Sequence, residues 1–219
     1  MSPNEVAEDL GLDLSRQVLL VLQHPVTTES LEASKQMRET MDAVCTFEEE
    51  TVVVYPNADA GGREMIEVIQ DYEHLPFVHA FKSLPRRTYV GLLSVASVMI
   101  GNSSSSLVDA PNFGLPAVNV GTRQQGRERG GNLIDVPGDC EGIRRAIRFA
   151  LEHQHDALSR SKWSESPYVD IDAAEQIAEV LGNLELGPGL IQKRFDDSWI
   201  NGAKGLDEQL AVDAQPSLD

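Results

Sequence analysis

Lysine is scarce in this chain. Five lysines and thirteen arginines stand against 35 acidic residues in 219, for a formal net charge of −17. Such a balance disfavours nucleic acid and anionic membranes as partners, because a negative surface repels their phosphates. Cysteine is scarcer still. Cys45 and Cys140 lie far apart and lack metal-ligand spacing, so a disulfide framework is not expected, no metal is assigned and two free thiols are the default. No apolar run approaches the roughly 20 residues that cross a bilayer. The acidic opening, Met1 to Asp13, lacks the basic start and apolar run of a signal peptide. These absences predict a soluble, cytoplasmic protein. No Gly-x-Gly-x-x-Gly follows the first strand-like run and no Walker motif occurs, which argues against the usual dinucleotide fold and against a P-loop. No cofactor is assigned. The acidic residues are spread along the chain, a pattern closer to salt adaptation than to an acidic interaction tail.

What is present alternates regularly. Apolar runs bounded by turn residues predict strands over 17–23, 51–55, 77–81, 95–100 and 116–120, with a weaker one over 132–136. Thr28 is placed to cap a helix, with Glu29 and Glu32 near its positive end and Leu31, Met37, Met41 and Val44 as its apolar face. Further helices are predicted over 64–72, with Met65, Ile66 and Ile69 inward, and over 85–95, opened by Pro85. Two more follow over 141–151, with Ile143, Ile147 and Leu151 buried and three arginines outside, and over 172–181, with Ala174, Ile177, Ala178 and Leu181 on one face. Strand–helix alternation implies right-handed crossovers and an α/β, doubly wound parallel sheet of Rossmann-like type. Residues 1–15 read as a lead-in, 16–185 as the domain, and 186–219 as a Gly-, Pro- and Asp-rich tail, partly disordered.

The richest stretch runs from Val98 to Arg129. A buried strand leads into Gly101, Asn102 and four serines, then Leu107, Val108 and Ala110 at helical spacing. Unpaired N–H groups at a helix start, with small hydroxyl side chains, make a plausible phosphate cradle. The next strand ends in Gly121 and a loop with Arg123, Arg127 and Arg129, whose guanidinium groups suit phosphate oxygens. Plain solvated loops are the rival reading. Asn102-Ser103-Ser104 also fits a glycosylation acceptor pattern, although nothing else suggests secretion.

Four segments fall at predicted strand ends: His24-Pro25-Val26-Thr27-Thr28-Glu29, Pro56-Asn57-Ala58-Asp59-Ala60-Gly61, Ile100-Gly101-Asn102-Ser103-Ser104 and Gly121-Thr122-Arg123-Gln124-Gln125-Gly126-Arg127. In this order and spacing the chain resembles the UDP-N-acetylglucosamine 2-epimerase family, most closely its hydrolysing branch, which releases N-acetylmannosamine and UDP. The resemblance implies a GT-B-type fold of two Rossmann-like halves, of which this chain matches the C-terminal, UDP-binding one. By that resemblance His24 is the catalytic histidine near the glycosidic bond and pyrophosphate. Asn57 contacts the nucleotide and Asp59 orients the same turn. Ser103 and Ser104 bond the phosphates, and Arg123 and Arg127 line the site, while Arg129 has no counterpart and is assigned to the surface. Asp109 stands where the family carries a ribose-binding glutamate, one methylene longer. Pro167-Tyr168-Val169-Asp170-Ile171 stands where the family tends to Pro-Tyr-Gly-Asp-Gly, with both glycines lost.

The family's elimination chemistry draws largely on carboxylates of the other half, so the resemblance implies a UDP-sugar substrate, an N-terminal half on another chain and incomplete activity alone. A homo-oligomer is a further possibility. The alternatives are a non-catalytic UDP-sugar-binding or regulatory module, and a non-hydrolysing epimerase. The acceptor half of a glycosyltransferase fits the His-Pro-Val-Thr-Thr and Gly-Thr-Arg-Gln segments less well.

Overall fold

A computed structural model of the chain describes residues 1–168, 172–187 and 190. Six strands form one parallel sheet: β1 (Val18–Leu22), β2 (Glu50–Val54), β3 (Val78–Phe81), β4 (Val98–Gly101), β5 (Ala117–Val120) and β6 (Leu133–Val136). Their order is β3-β2-β1-β4-β5-β6. The chain thus winds outward from β1 in one direction, returns, and winds outward in the other. All five β1 residues are buried, as a central strand covered on both faces demands. Leu19 and Val21 belong to one apolar cluster, Val18, Leu20 and Leu22 to the other, because successive side chains point to opposite faces.

The first cluster is closed by α2 (Ala33–Cys45), α3 (Gly62–Tyr72) and α6 (Cys140–His153), through Met37, Met41, Met65, Ile69, Ile143 and Ile147. The second is closed by α1 (Pro3–Leu10) and α4 (Arg86–Val95), through Val6, Leu10, Leu92 and Leu93. Each such side chain contributes roughly 1.5–3 kcal/mol on burial, so the sheet is held from both sides. No described helix is long and apolar enough to cross a membrane.

Several elements depart from the sequence reading. The stretch read as a lead-in contains α1, opened by a capping box in which Ser2 and Glu5 satisfy each other's backbone N–H, and closed by Gly11. Thr28 does not cap α2. It lies inside a 3₁₀ segment, Thr27–Glu32, and Glu32 precedes α2 without a side-chain cap. Leu31, read as core-facing, is 98% exposed, because the 3₁₀ segment rotates it off the helical face. Ile66 and Leu151 are half-buried, while Val68, Ala146 and Ala150 are buried. Val95 ends α4 instead of opening β4. A short helix the periodicity did not show, α7 (Ala157–Trp163), carries the buried Trp163. A second unit begins at Asp172, and its described helix, α8 (Ala173–Gly182), keeps its apolar side exposed. Val169, Asp170 and Ile171 lie outside the described residues, as does most of the segment read as a tail, 188–189 and 191–219.

Candidate functional site

In a doubly wound sheet the crevice opens at the carboxyl ends of the two strands from which the chain winds in opposite directions. Here those strands are β1 and β4, paired in register from Leu19↔Val98 to Leu22↔Gly101. Gly101 makes the close approach possible: its φ is +129°, and a Cβ there would sit 2.3 Å from the Leu22 carbonyl oxygen. The chain leaves β1 through Gln23 into His24, and leaves β4 through Gly101 into Asn102.

Asn102 is the junction of the site. It is buried, and its Oδ1 accepts the His24 backbone N–H at 2.7 Å while its Nδ2 donates to the His24 carbonyl at 2.8 Å. This reciprocal pair bolts the β1 turn to the β4 turn. The Asn102 carbonyl then accepts from Arg123 Nη1 at 3.1 Å and from Gln124 Nε2 at 2.6 Å, which brings in the loop after β5. The turn after β2 joins through His24, whose Nδ1 accepts the Asn57 backbone N–H at 3.1 Å. Asn57 Nδ2 in turn donates to Asp59 Oδ2 at 2.7 Å. Four turns distant in sequence are therefore linked by no more than three successive hydrogen bonds.

The electrostatics of His24 follow from this geometry. Burial and the neighbouring Arg123 charge push its pKa below the ordinary imidazole value, partly opposed by Asp59. Because Nδ1 accepts from a backbone amide, the neutral ring carries its proton on Nε2. His24 is thus a neutral Nε2–H donor at pH 7 when the site holds no anion. Beside it a cavity of about 390 Å³ is lined by Thr27, Thr28, Asp59, Thr122 and Arg123, among others. One wall is latched by Glu29, whose Oε1 accepts from Thr122 Oγ1 at 2.8 Å and whose Oε2 accepts from Gln36 Nε2 at 2.7 Å.

The serine run forms a tighter turn than the sequence suggests. Its helix, α5 (Ser105–Val108), is a single turn followed by a 3₁₀ turn over Ala110–Phe113. So short a helix has little macrodipole, and any anion affinity here rests on local donors. Ser103 is buried, and its Oγ accepts from the Ser105 N–H at 3.3 Å, which leaves its own proton to donate elsewhere. Ser104, half-buried, precedes α5. Asp109 lies at the far end of that turn, its Oδ2 accepting from Ser105 Oγ at 2.6 Å. Arg127 is exposed and reaches the junction indirectly, donating to Gln124 Oε1 at 3.2 Å. Arg129, assigned to the surface from sequence, is exposed there and also braces the loop, bonding Asp135 and the Gln124 carbonyl.

Residues 2–182 match the model of the UDP-N-acetylglucosamine 2-epimerase family. The chain belongs to that family. It is 33% identical over 183 residues to a hydrolysing UDP-N,N'-diacetylbacillosamine 2-epimerase of Legionella pneumophila, covering 84% of this chain and 47% of that enzyme. It is 30% identical over 200 residues to a UDP-N-acetylglucosamine 2-epimerase of Neisseria meningitidis, covering 90% of this chain and 51% of the relative. This epimerase-family chain thus spans about half the length of the curated relatives it matches. A crystal structure of the UDP-N-acetylglucosamine 2-epimerase from Neisseria meningitidis bound to UDP-N-acetylglucosamine superposes with a TM-score of 0.63. Identity there is 13%, over 83% of this chain and 49% of that one, so this likeness concerns the fold: an α/β, doubly wound, Rossmann-like sheet.

Set on the structure, the sequence reading of this epimerase-family chain brings His24, Asn57, Asp59 and Arg123 into one cluster. Ser103 adjoins it through Asn102. Asp109 is held in a second network of its own, and Arg127 stands one residue removed. Asn102 and Gln124 fall inside the quoted motifs but carry no ligand-site role in the sequence, and the Glu29 latch is not legible there. Asn102 carried a usable signal, a polar residue directly after a strand-ending glycine. For Gln124 and Glu29 the decisive fact, partners 22 and 93 residues away, is tertiary.

Proposed function

We propose that this chain is the nucleotide-binding half of a hydrolysing UDP-N-acetylglucosamine 2-epimerase, which converts UDP-N-acetylglucosamine to N-acetylmannosamine and UDP. It acts with an N-terminal half that faces the carboxyl edge of the sheet. The observation that carries this reading is the junction at Asn102, which gathers a neutral histidine, an arginine and hydroxyl side chains at the sheet's switch point. In the proposed complex Ser103, Ser104, Arg123 and Arg127 hold the pyrophosphate, Asn57 and Asp59 shape the nucleotide turn, and Asp109 takes the ribose. His24 donates from Nε2 to the phosphate oxygen that departs from C1. The reaction removes the C2 proton and breaks the C1–O bond, leaving a glycal, to which water adds. The base at C2 belongs to the other half, since no carboxylate of this site is assigned to the sugar.

A related acetamido sugar is the second reading, favoured by the Legionella relative and by a Campylobacter jejuni relative, both named for diacetylbacillosamine. Calorimetry in molar potassium chloride is expected to give saturable UDP binding that exceeds GDP binding, with no release of UDP from UDP-N-acetylglucosamine by the chain alone. Adding the N-terminal half of a related enzyme is expected to restore release. His24→Ala should then lower the restored rate roughly a hundredfold or more. Product analysis on both sugars separates hydrolysing from non-hydrolysing outcomes. Absence of UDP binding would sink the nucleotide assignment, turnover by the isolated chain would sink the half-enzyme, and binding that no added half makes productive would leave a non-catalytic module.

A further inference from the structure

A hydrogen-bond relay runs beside the junction and is not used by it. Ser105 Oγ donates to Asp109 Oδ2 at 2.6 Å, and the same Ser105 Oγ meets the Tyr89 hydroxyl, brought in on α4, in a short hydrogen bond. A hydroxyl can accept one bond and donate another, so the chain of donors runs Tyr89 to Ser105 to Asp109. Burial holds the Tyr89 phenol above its usual pKa, which keeps it protonated and donating. A carboxylate is acceptor-only, and the second oxygen of Asp109, Oδ1, is not engaged by Ser105.

Resting on the nucleotide site proposed above, we propose that Tyr89 and Ser105 are positioning residues that aim Asp109 at the sugar of the nucleotide and so select ribose over 2′-deoxyribose. The relay fixes one carboxylate oxygen before any ligand arrives, so the ordering cost is met in advance. A vicinal diol offers two O–H donors to the other oxygen and its lone pairs. Removing the 2′-hydroxyl leaves a charged acceptor short of a partner, and a site built to bond a hydroxyl rejects the analogue that lacks it. The side chain is short, and an unanchored aspartate there would swing. Anchoring through Ser105 is what this chain has in place of reach.

A relay that merely stitched α4 to α5 would lower stability when cut but would leave sugar selectivity unchanged. The test is therefore a ratio, the dissociation constant of 2′-deoxy-UDP over that of UDP, measured by calorimetry on the full chain. Wild type is expected to prefer UDP roughly tenfold to a hundredfold. Tyr89→Phe, which keeps the ring, Ser105→Ala and Asp109→Asn are each expected to bring that ratio towards one. Thermal melts establish that each variant is folded, and Tyr89→Phe and Ser105→Ala serve as independent checks on each other. If wild type binds UDP with no preference, or if the preference survives both Tyr89→Phe and Ser105→Ala, the proposal is overturned while the nucleotide site stands. If wild type does not bind UDP, both fall.

Discussion

At the residue scale, Asn102 and His24 are read as one device. Asn102 uses its amide oxygen, its amide nitrogen and its carbonyl for four hydrogen bonds to two other turns. Asn102→Ala removes the two made by the side chain and leaves the half-buried backbone N–H and C=O of His24 without those partners. A destabilisation of about 1–3 kcal/mol is expected, read from urea denaturation, together with weaker UDP binding. An unchanged midpoint would remove Asn102 from its place as junction. His24 gives a pH test whose sign follows from its environment. Its folded pKa lies below the ordinary value of 6.5, so on acidification the unfolded chain takes up the proton first. The His24 contribution to stability is therefore constant above about pH 6.5 and falls as pH drops through that value, levelling off below the folded pKa. An anion placed beside the ring raises the pKa again, so UDP binding should take up protons and shift the His24 NMR titration upward. A titration at the ordinary value, unmoved by UDP, would contradict both the burial argument and the phosphate contact.

At the scale of elements, the strand ends decide where the site can form. β1 and β4 come together because nothing projects from Gly101 into the Leu22 carbonyl. Gly101→Ala adds both a clash at 2.3 Å and a side chain at a φ of +129°, which L-residues rarely adopt. Gly126→Ala is the control. Its φ is +77° but a Cβ there meets nothing within 4 Å, so only the backbone cost of about 1 kcal/mol applies. Denaturant midpoints should rank wild type above Gly126→Ala, and that variant well above Gly101→Ala, with UDP affinity following the Gly101 substitution. Equal effects of the two would mean that close strand approach is not what Gly101 supplies.

For the whole molecule, a net charge of −17 is a property of the surface, not of any contact. Among the described residues ion pairs are few for so many carboxylates. Most that the structure shows are exposed, including Arg38–Asp71 and Lys35–Glu32, and such pairs are worth little each. Self-repulsion therefore remains uncompensated in dilute buffer, and salt screens it. The melting temperature is expected to rise from low to molar potassium chloride, and a flat profile would remove salt adaptation from the reading of the composition.

The sequence by itself determined the sheet and its winding. Short continuous apolar runs flanked by glycine, proline and asparagine favour strands buried on both faces, and helical periodicity between them favours parallel crossovers. It also placed His24, Asn57, Asp59, Ser103 and Arg123 at strand ends, because turn residues mark where strands stop. The tertiary structure alone decided which of those turns touch. Order β3-β2-β1-β4-β5-β6 pairs Leu22 with Gly101, 79 residues on, and so turns Asn102 from a loop residue into a junction. It decided likewise that Leu31 faces solvent, that the serine helix is a single turn, and that Glu29 latches a loop 93 residues away. Local pattern sets the type of most segments, because period and turn chemistry act over a few residues. Which segments meet depends on strand order and on hydrogen bonds closed across the fold, and neither is written within any one segment.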